Sequence, residues 1–296
     1  MHLTPQLKVV VTGANGQLGY QLAKKLADKV TLLALDRAAL DIANDEEVNQ
    51  TLLAFAPDVI INAAAYTAVD KAEQELDLAK AINETGPENL AKVASKVRAV
   101  LIHVSTDYVF DGKSNSPYLE HDTTNPQSVY GLTKLNGEQA ILKYCEKHII
   151  LRTSWVFAEH GNNFVKTMLR LAQSRPELGV VADQVGGPTY AGDIAQTIIC
   201  IMEQLNVENE QRYGLYHYSG MPYVSWYEFA RSIFEQAEKQ QLVTKAPKVN
   251  AITTAQYPTP AKRPAFSMLS CSKIQQAFSV SPSNWQAALN NLTFYK

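Results

Sequence analysis

The 296-residue chain is poor in cysteine, in long apolar runs and in excess charge of either sign. Its three cysteines, Cys145, Cys200 and Cys271, are widely spaced and form no CxxC pair. This spacing argues against a disulfide framework and against a zinc site, so we expect buried, reduced thiols. The apolar run near the amino terminus, Val9 to Val11, stops at Thr12. It is too short for a signal sequence or a membrane span, and we expect a cytoplasmic protein that has no membrane partner.

The charge balance argues against a second class of partner. The chain has 27 Lys and Arg against 29 Asp and Glu, a formal net charge of −2, and no run of basic residues interleaved with aromatics. Such a chain has no general field that attracts nucleic acid, so we expect no nucleic-acid partner. With 46% hydrophobic and 19% charged residues, it has the composition of a folded globular protein. Its length fits one α/β domain that carries a smaller lobe.

Short apolar runs alternate with amphipathic stretches along the first half of the chain. The apolar runs are rich in β-branched residues, as are strands buried on both faces of a parallel sheet. They are Leu7 to Val11, Thr31 to Leu35, Val59 to Asn62, Val100 to Ser105 and His148 to Arg152. The helical patterns are Gln17 to Leu26, Asp45 to Phe55, Lys71 to Ala81, Pro87 to Ser95 and Ser128 to Lys143. This alternation predicts a Rossmann-type, doubly wound parallel sheet that binds NAD(P) in residues 1–152.

The pattern changes after residue 152, where Gly-Asn pairs, prolines and an aromatic-rich stretch break the alternation. We therefore expect residues 153–296 to form mainly a smaller, substrate-binding lobe, with segments around 179–220 returning to the Rossmann domain. Ser225 and Glu228 predict a capping box that opens a helix through about Glu238. Residues 245–266 are proline-rich and are predicted as loop, before short helices at the end of the chain.

A glycine motif follows the first predicted strand in the segment VVVTGANGQLG. Gly13, Gly16 and Gly19 are spaced GxxGxxG between a strand and a helix, the context in which this pattern is informative. Such glycines permit a tight turn, let backbone amides approach a pyrophosphate and allow helix and strand to pack closely. The motif predicts a dinucleotide site, the alternative being a turn that binds nothing. The other predicted contacts in this segment are Asn15, Gln17 and Leu18.

Two neighbouring residues leave the choice of dinucleotide open. Asp36 follows the second strand and can accept hydrogen bonds from the adenosine ribose hydroxyls, which favours NAD. Arg37 can instead hold the 2′-phosphate of NADP. We expect the chain to use both cofactors, with NADPH preferred and NADH possible. Small residues end the third strand, where the cofactor would pass, although tight packing alone would also explain them. The remaining predicted cofactor contacts are Asp41, Ile42, Ala63, Ala64, Ala65 and Tyr66.

A Tyr and a Lys lie four residues apart on a predicted helix, in the segment SVYGLTKLNGEQAIL. Tyr130 is a poor base at neutral pH unless a nearby cation such as Lys134 favours its phenolate. Thr106 ends the fourth strand, at the sheet edge where α/β proteins bind ligands, and can hold a reacting oxygen. The three side chains form a coherent proton-transfer set, and Tyr130 and Lys134 are also predicted to contact the cofactor. A solvated YxxxK pair is the alternative.

These residues carry a resemblance to a known family. The glycine motif, Ser105 to Asp107, and Tyr130 with Lys134 resemble the extended short-chain dehydrogenases/reductases. The phrases STDYVFDG, YGLTKLNGE, LRTSWVF, GNNFVKTML, DQVGGPTY and KRPAFSML are similar to those of the dTDP-4-dehydrorhamnose reductase family, from about residue 8 to the carboxyl end. The resemblance implies NAD(P)H-dependent reduction of the C4 keto group of dTDP-4-dehydro-β-L-rhamnose, the last step of dTDP-L-rhamnose synthesis. It also implies that Tyr130 gives the proton, Lys134 lowers the pKa of Tyr130 and binds the nicotinamide ribose, and Thr106 orients the keto oxygen.

The substrate contacts are less constrained by the sequence. Lys262 and Arg263 lie in a proline-rich loop and can bind a diphosphate, or can be a solvated pair. Trp155 can cover a sugar or base face, or can belong to the core. The predicted substrate contacts are Thr106, Asp107, Val109, Trp155, Lys262 and Arg263. The resemblance implies a homodimer and makes Mg²⁺ at a subunit contact possible, while the sequence shows no ligand cluster that demands a metal.

Related activities remain as alternatives. Sugar-nucleotide 4,6-dehydratases carry an Asp-Glu pair after the Thr, whereas Asp107 is followed here by Tyr108, which disfavours dehydration. Epimerases usually show Ser-Ser where this chain has Ser105-Thr106, so another nucleotide-sugar reductase or epimerase is less favoured. The regulatory subunit of methionine adenosyltransferase resembles these reductases, which gives a non-catalytic alternative. His103 is expected to be a satisfied core histidine, and His121 is assigned no role.

Overall fold

The computed structural model describes residues 3–205 and 212–295 of the chain. The elements of the first half are β1 (Lys8–Thr12), α1 (Gln17–Leu26), β2 (Thr31–Leu35), α2 (Asp45–Phe55), β3 (Val59–Asn62), α3 (Val69–Ala72), α4 (Leu76–Lys80), α5 (Gly86–Val97), β4 (Val100–Thr106), α6 (Val129–Tyr144) and β5 (His148–Thr153). Those of the second half are β6 (Val156–Phe157), α7 (Phe164–Ala172), β7 (Glu177–Val181), β8 (Val185–Gly186), β9 (Thr189–Tyr190), α8 (Ala191–Gln204), β10 (Gly214–His217), β11 (Val224–Ser225), α9 (Trp226–Lys239), β12 (Lys248–Ile252), β13 (Phe266–Ser267), α10 (Ser272–Phe278) and α11 (Trp285–Ala288).

Six strands form the central sheet, in the order β10-β5-β4-β3-β1-β2. Every neighbouring pair in this sheet is parallel. The chain leaves β1 for β2 on one side and then crosses to β3 on the other side. The crevice at the carboxyl ends of β1 and β3 is therefore a topological switch point, where open α/β sheets bind their ligands. The predicted doubly wound parallel sheet is confirmed.

The strands bury side chains on both faces of the sheet. Val9 and Val11 belong to a hydrophobic cluster with α1, α8 and α10, whereas Val10 belongs to a second cluster with α2, α5 and α6. Ile61 and Ile60 divide between the two clusters in the same way. Because successive strand residues point to opposite faces, a run of apolar residues is what a sheet covered on both sides requires.

A separate hydrophobic cluster holds the second half together, with Phe229 and Trp285 among its buried members. The predicted capping box is confirmed, because Ser225 and Glu228 exchange hydrogen bonds at the start of α9. The prediction of loop over residues 245–266 is wrong in part. Strand β12 (Lys248–Ile252) pairs in parallel with β7, and this tertiary pairing overrides the local proline signals.

The predicted helix from Lys71 to Ala81 is interrupted. The chain forms α3 and α4 with a turn between them, followed by a π-helical segment at Ala81–Thr85 that continues into α5. Two acidic side chains of the turn have partners outside the predicted helix. Glu73 accepts a hydrogen bond from the Val129 backbone N–H, and Glu75 accepts one from the Tyr66 hydroxyl. These tertiary contacts outweigh the local helix propensity of the segment.

Two further features concern the described residues as a whole. None of their helices is both long enough and apolar enough to cross a bilayer. Within the same part of the chain, no group of three or more His, Cys, Asp or Glu side chains is arranged to hold a metal ion. The three cysteines are unpaired, as expected, with Cys145 and Cys271 buried and Cys200 partly buried.

Candidate active site

A cavity of about 350 Å³ lies at the switch point, where the loops after β1, β2 and β3 meet. It brings together eleven of the predicted cofactor contacts. They are Gly13, Asn15, Gly16, Asp36, Arg37, Asp41, Ile42, Ala63, Ala64, Ala65 and Tyr66. Four further lining residues were not predicted from the sequence. They are Leu40, Thr67, Ala68 and Ile82.

The glycine turn beside this cavity packs closely against the protein's own backbone. Gly13 has φ +70°, and a Cβ added there would lie 2.6 Å from the Ala64 backbone nitrogen. A Cβ on Gly19 would lie 2.1 Å from the Gly13 oxygen, so Gly19 lets α1 pack against the turn and does not line the cavity. Helix α1 begins at Gln17 without a side-chain cap. The N–H groups of its first turn are therefore available to an anion such as a pyrophosphate.

Asp36 and Arg37 differ in whether other residues of the protein already bind their side chains. The Asp36 carboxylate accepts hydrogen bonds from Asn15 Nδ2 at 2.6 Å and from the Ala38 and Ala39 backbone N–H groups at 2.9 and 3.0 Å. Arg37 is exposed at the cavity rim, and the described residues make no ion pair with it. The Arg37 guanidinium can bind the 2′-phosphate of NADP, and the Asp36 carboxylate can accept from the ribose hydroxyls of NAD. The cavity therefore fits either dinucleotide.

A larger cleft of about 930 Å³ adjoins the dinucleotide cavity and shares Gly16, Ala63, Ala65, Thr67 and Ala68 with it. Gln17 and Leu18 line this cleft rather than the first cavity. The ends of β4 and β5, helix α6 and the segment before α7 form its walls. The predicted residues that they bring into the cleft are Thr106, Asp107, Tyr130, Lys134 and Trp155, and Arg263 joins them from the loop before β13.

Tyr130 lies beside Thr106 and Asp107 at the base of the cleft. Burial raises the pKa of Tyr130 to about 12, and a hydrogen bond with the Thr106 side chain opposes this rise. Burial also raises the pKa of Asp107 to about 6. Asp107 Oδ1 accepts a hydrogen bond from Thr106 Oγ1 at 3.0 Å, and Asp107 Oδ2 is buried without a hydrogen-bond partner among the described residues. The phenol is thus protonated at neutral pH and able to donate.

Lys134 is only 1% exposed and points into the sheet. Its Nζ donates to the Val104 carbonyl at 2.7 Å and lies 3.1 Å from His103 Nε2. Burial lowers the pKa of Lys134 to about 8. That Lys134 lowers the Tyr130 pKa stays a prediction. Burial dominates the pKa of Tyr130, and the hydrogen bonds of Lys134 go to β4.

The predicted substrate contacts separate into two groups. Trp155 lines the cleft and stacks on Trp226, with ring centroids 3.5 Å apart, and Arg263 lines it while donating to Asp70 at 2.8 Å. Val109 and Lys262 do not line the cleft. Val109 is fully buried in a cluster with Phe110, and exposed Lys262 donates to Gln127 Oε1 at 3.3 Å. The geometry therefore does not support substrate contacts for these two residues.

Several residues in or behind the cleft were not predicted from the sequence to belong to the site. Asp70 and Trp226 line the cleft, while Asn62 and Glu138 are buried behind it. Asp70 pairs with a residue 193 positions away, so no local pattern could reveal the contact. Glu138 follows Lys134 by one helical turn, a spacing that could have suggested an interaction between the two.

Comparison with known proteins identifies the family. The family model described as RmlD substrate binding domain matches residues 7–294. The chain is 53% identical to a dTDP-4-dehydrorhamnose reductase of Aggregatibacter actinomycetemcomitans over 97% of this chain and 99% of that one. It is 45% identical to a dTDP-4-dehydrorhamnose reductase of Escherichia coli strain K12, over 97% of each chain. The chain belongs to the dTDP-4-dehydrorhamnose reductase family.

A solved structure of the same family has the same fold over nearly the whole chain. It is a dTDP-4-dehydrorhamnose reductase of Bacillus anthracis in complex with NADP, similar to this chain with a TM-score of 0.90 and 37% identity. The match covers 98% of this chain and 100% of that chain. The resemblance noted from the sequence phrases to the dTDP-4-dehydrorhamnose reductase family is confirmed.

Proposed function

We propose that this protein reduces the C4 keto group of dTDP-4-dehydro-β-L-rhamnose to give dTDP-L-rhamnose, with NADPH as the reductant. One observation carries the proposal. Tyr130, Thr106 and Lys134, the side chains suited to proton transfer, line a cleft that adjoins the dinucleotide cavity. A keto sugar held in this cleft would lie beside both a proton donor and a dinucleotide, as carbonyl reduction requires.

The chain's own residues handle the proton. Tyr130 donates the proton to the oxygen at C4, because burial keeps its phenol protonated at neutral pH. Thr106, which hydrogen-bonds with Tyr130, holds that oxygen in place. The reduced dinucleotide, when bound, supplies the hydride. Lys134 lies one turn further along α6 and would hold the nicotinamide ribose.

The residues around the first cavity fit NADPH, with NADH as a second cofactor. The uncapped start of α1 offers free N–H groups to a pyrophosphate. Arg37 would hold a 2′-phosphate, while Asp36 would accept from ribose hydroxyls. The preference for NADPH should be modest because both residues are present.

The walls of the cleft suggest how the sugar nucleotide is held. The unpartnered Asp107 Oδ2 can accept from a sugar hydroxyl. Trp155 can cover an apolar ring face, and Arg263 can reach a diphosphate. We also propose that residues 1–152 mainly bind the dinucleotide and residues 153–296 mainly bind the substrate, with segments around 179–220 belonging to the first part.

The homodimer is proposed on the sequence resemblance, and the location and the absence of other partners on the composition and charge of the chain. We infer that the protein is a homodimer in the cytoplasm and has no nucleic-acid or membrane partner. Nothing in the proposed reaction needs a metal. The resemblance alone suggests an Mg²⁺ ion, at a contact between subunits.

The deciding experiment follows the loss of NADPH absorbance, and separately that of NADH, on addition of dTDP-4-dehydrorhamnose made in situ by the upstream dehydratase and epimerase. Oxidation that depends on this protein and is absent in Tyr130→Phe would support the reductase and its proton donor together. Binding of NADPH without any oxidation would overturn the proposed substrate. It would favour another nucleotide sugar or a non-catalytic regulatory subunit.

A further inference from the structure

Asp70 accepts hydrogen bonds from two residues of a single loop. Its Oδ2 accepts from Arg263 Nη2 at 2.8 Å, and its Oδ1 accepts from the Ala261 backbone N–H at 3.3 Å. Asp70 belongs to α3 in the first half of the chain, whereas Ala261 and Arg263 precede β13 in the second half. One carboxylate therefore ties this loop to the half of the protein that carries the dinucleotide cavity.

The other end of the loop is fixed by backbone contacts. The Ala265 carbonyl accepts a hydrogen bond from the Val185 N–H at 2.9 Å. Pro264 packs against Gly112, where an added Cβ would lie 2.7 Å from Pro264 Cα. Arg263 thus belongs to a loop that is held at both ends, and Asp70 is the contact that reaches its guanidinium.

Three cationic side chains line the cleft within the part of the chain that the structure describes. They are Lys71, Lys134 and Arg263. Lys134 is directed towards β4 by its hydrogen bond to the Val104 carbonyl. A lysine such as Lys71 offers an anion a mobile point charge, whereas a guanidinium offers a planar set of donors that matches phosphate oxygens. Arg263 is therefore the cation of the cleft best suited to a diphosphate.

Tyr108 relates Arg263 to the proposed proton donor. The rings of Tyr108 and Tyr130 meet edge to face, with centroids 5.3 Å apart. Burial raises the pKa of Tyr108, and the charge of the Arg263 guanidinium opposes this rise. Tyr108 is therefore near both Tyr130 and Arg263, so a diphosphate on Arg263 can belong to a molecule whose sugar lies at Tyr130.

The Arg263 guanidinium keeps donors for a ligand while Asp70 holds it. Nη2 donates to Asp70, whereas no hydrogen bond from Nη1 is accepted by the described residues. A flexible arginine loses rotamer freedom when it binds a ligand, and an ion pair formed beforehand removes part of that cost. We propose that Asp70 is a positioning residue, which holds Arg263 so that Nη1 meets the diphosphate of the sugar nucleotide. This role rests on the proposed function, because the diphosphate is that of the proposed substrate.

A nearly isosteric change at Asp70 separates this role from simple packing. The two carboxylate oxygens accept from two different donors, whereas an asparagine has one amide oxygen and must turn its NH₂ group towards the other donor. Asp70→Asn therefore breaks one of the two contacts and removes the charge that orients Arg263. The side chains of Arg263 and Asp70 are 32% and 37% exposed. An ion pair at this exposure adds little to stability, so the variant should fold.

The test compares the binding of dTDP and of thymidine to the full chain saturated with NADPH. Calorimetry measures dTDP, and NMR titration at millimolar concentration measures thymidine. We expect Asp70→Asn to weaken dTDP binding by about tenfold, the scale of one charge-assisted hydrogen bond. Thymidine has no phosphate, so its affinity should not change. Equal dTDP affinity in Asp70→Asn and wild type, or an equal loss for thymidine, would overturn the proposal.

The matched control is Asp77→Asn. Asp77 is an exposed residue of the neighbouring helix α4 and does not line the cleft. This variant removes the same charge from the surface and should leave both affinities unchanged. A loss of dTDP affinity as large as that of Asp70→Asn would show a general charge effect and overturn the positioning role.

A double-mutant cycle tests whether Asp70 acts through Arg263. Arg263→Ala should itself weaken dTDP binding, and the addition of Asp70→Asn to Arg263→Ala should then have little further effect. A further tenfold loss in that background would contradict the proposal. In turnover, Asp70→Asn should raise the KM of the sugar nucleotide more than it lowers kcat, and the reverse would also contradict it. Loss of dTDP affinity in Asp70→Asn would support the positioning role even if the protein did not reduce the keto sugar, so the two failures are distinguishable.

Discussion

Arg152 and Glu138 form a buried ion pair behind the cleft, with Arg152 Nη2 2.6 Å from Glu138 Oε2 and neither side chain more than 5% exposed. Arg152 Nε also donates to both carboxylate oxygens, at 2.9 and 3.2 Å. The Ser105 hydroxyl donates to the same carboxylate. The pair therefore joins α6, which carries Tyr130 and Lys134, to β5 and β4.

Removal of the negative charge from this pair should destabilise the protein. Glu138→Gln would leave the Arg152 guanidinium buried without a counter-ion, which costs about 3–5 kcal/mol in free energy of unfolding. Urea unfolding followed by circular dichroism measures the effect. Glu88→Gln is the matched control, because Glu88 pairs with Lys92 on an exposed helix face, where an ion pair adds little to stability. Equal unfolding midpoints for the two variants would contradict the interpretation.

Loss of the Tyr130 hydroxyl should abolish proton donation and leave dinucleotide binding intact. We expect Tyr130→Phe to lower turnover by about a hundredfold or more, the usual size of a general-acid contribution. Steady-state kinetics and NADPH fluorescence titration measure the two effects separately. Tyr144→Phe is the control, because Tyr144 ends the same helix about 21 Å from Tyr130. Near-normal turnover in Tyr130→Phe would remove this residue from the mechanism.

Much of the parallel sheet could be predicted from the sequence because its signals are local. The apolar runs at Thr31–Leu35 and Val59–Asn62 coincide with the observed strands β2 and β3. The predicted helix over Lys71–Ala81 is interrupted where Glu73 bonds to Val129, 56 positions along the chain, and Glu75 bonds to Tyr66, nine positions before it. Strand β12 was missed because its partner β7 lies about 70 residues earlier.

The contacts of the candidate site also divide into those that local patterns predict and those that join residues far apart in the sequence. The glycine turn and the Tyr130–Lys134 pair are local patterns, and the structure brings their residues to two adjoining cavities. The Asp70–Arg263 ion pair joins residues 193 positions apart and gives no sequence signal. His103 is buried with a polar partner at each ring nitrogen, which confirms the expected core histidine. Its position between Asn62 and Lys134 depends on strand order, which the residue pattern around His103 does not contain.

Arg37 should determine the preference for NADPH. Arg37→Ala removes a charged partner of the 2′-phosphate, which is worth about 1.5–3 kcal/mol, or roughly tenfold or more in kcat/KM for NADPH. The kcat/KM for NADH should change little. Arg175→Ala removes an exposed arginine outside the cavities and controls for charge. A thousandfold preference of the wild-type protein for NADH would show that the cofactor prediction is wrong.

The homodimer is testable without substrate. Light scattering at micromolar concentration should give twice the 32.7 kDa mass of the chain. This dimer mass should not change on dilution through the micromolar range, as expected of a stable interface. A monomer mass under these conditions would contradict the proposed assembly.

The buried carboxyl of Asp107 should make the stability of the protein depend on pH in a defined direction. Burial raises its pKa from 3.8 to about 6, so the native state holds this proton more tightly than the unfolded state. The stability from the protonated carboxyl is then fully present below about pH 4 and is lost as the pH rises to about 6. A difference of about two pKa units corresponds to roughly 3 kcal/mol.

Asp107→Asn keeps a neutral side chain at every pH and should remove this loss. The free energy of unfolding of Asp107→Asn relative to wild type should therefore increase between pH 4 and pH 7, as measured by urea unfolding at each pH. Asp111→Asn is the contrasting variant. Burial raises the Asp111 pKa, but hydrogen bonds from Lys113, Tyr118 and Asn125 outweigh this and lower it overall. The relative stability of Asp111→Asn should therefore not increase with pH. A flat difference between Asp107→Asn and wild type would mean that the Asp107 carboxyl ionises in the folded protein as easily as in the unfolded chain.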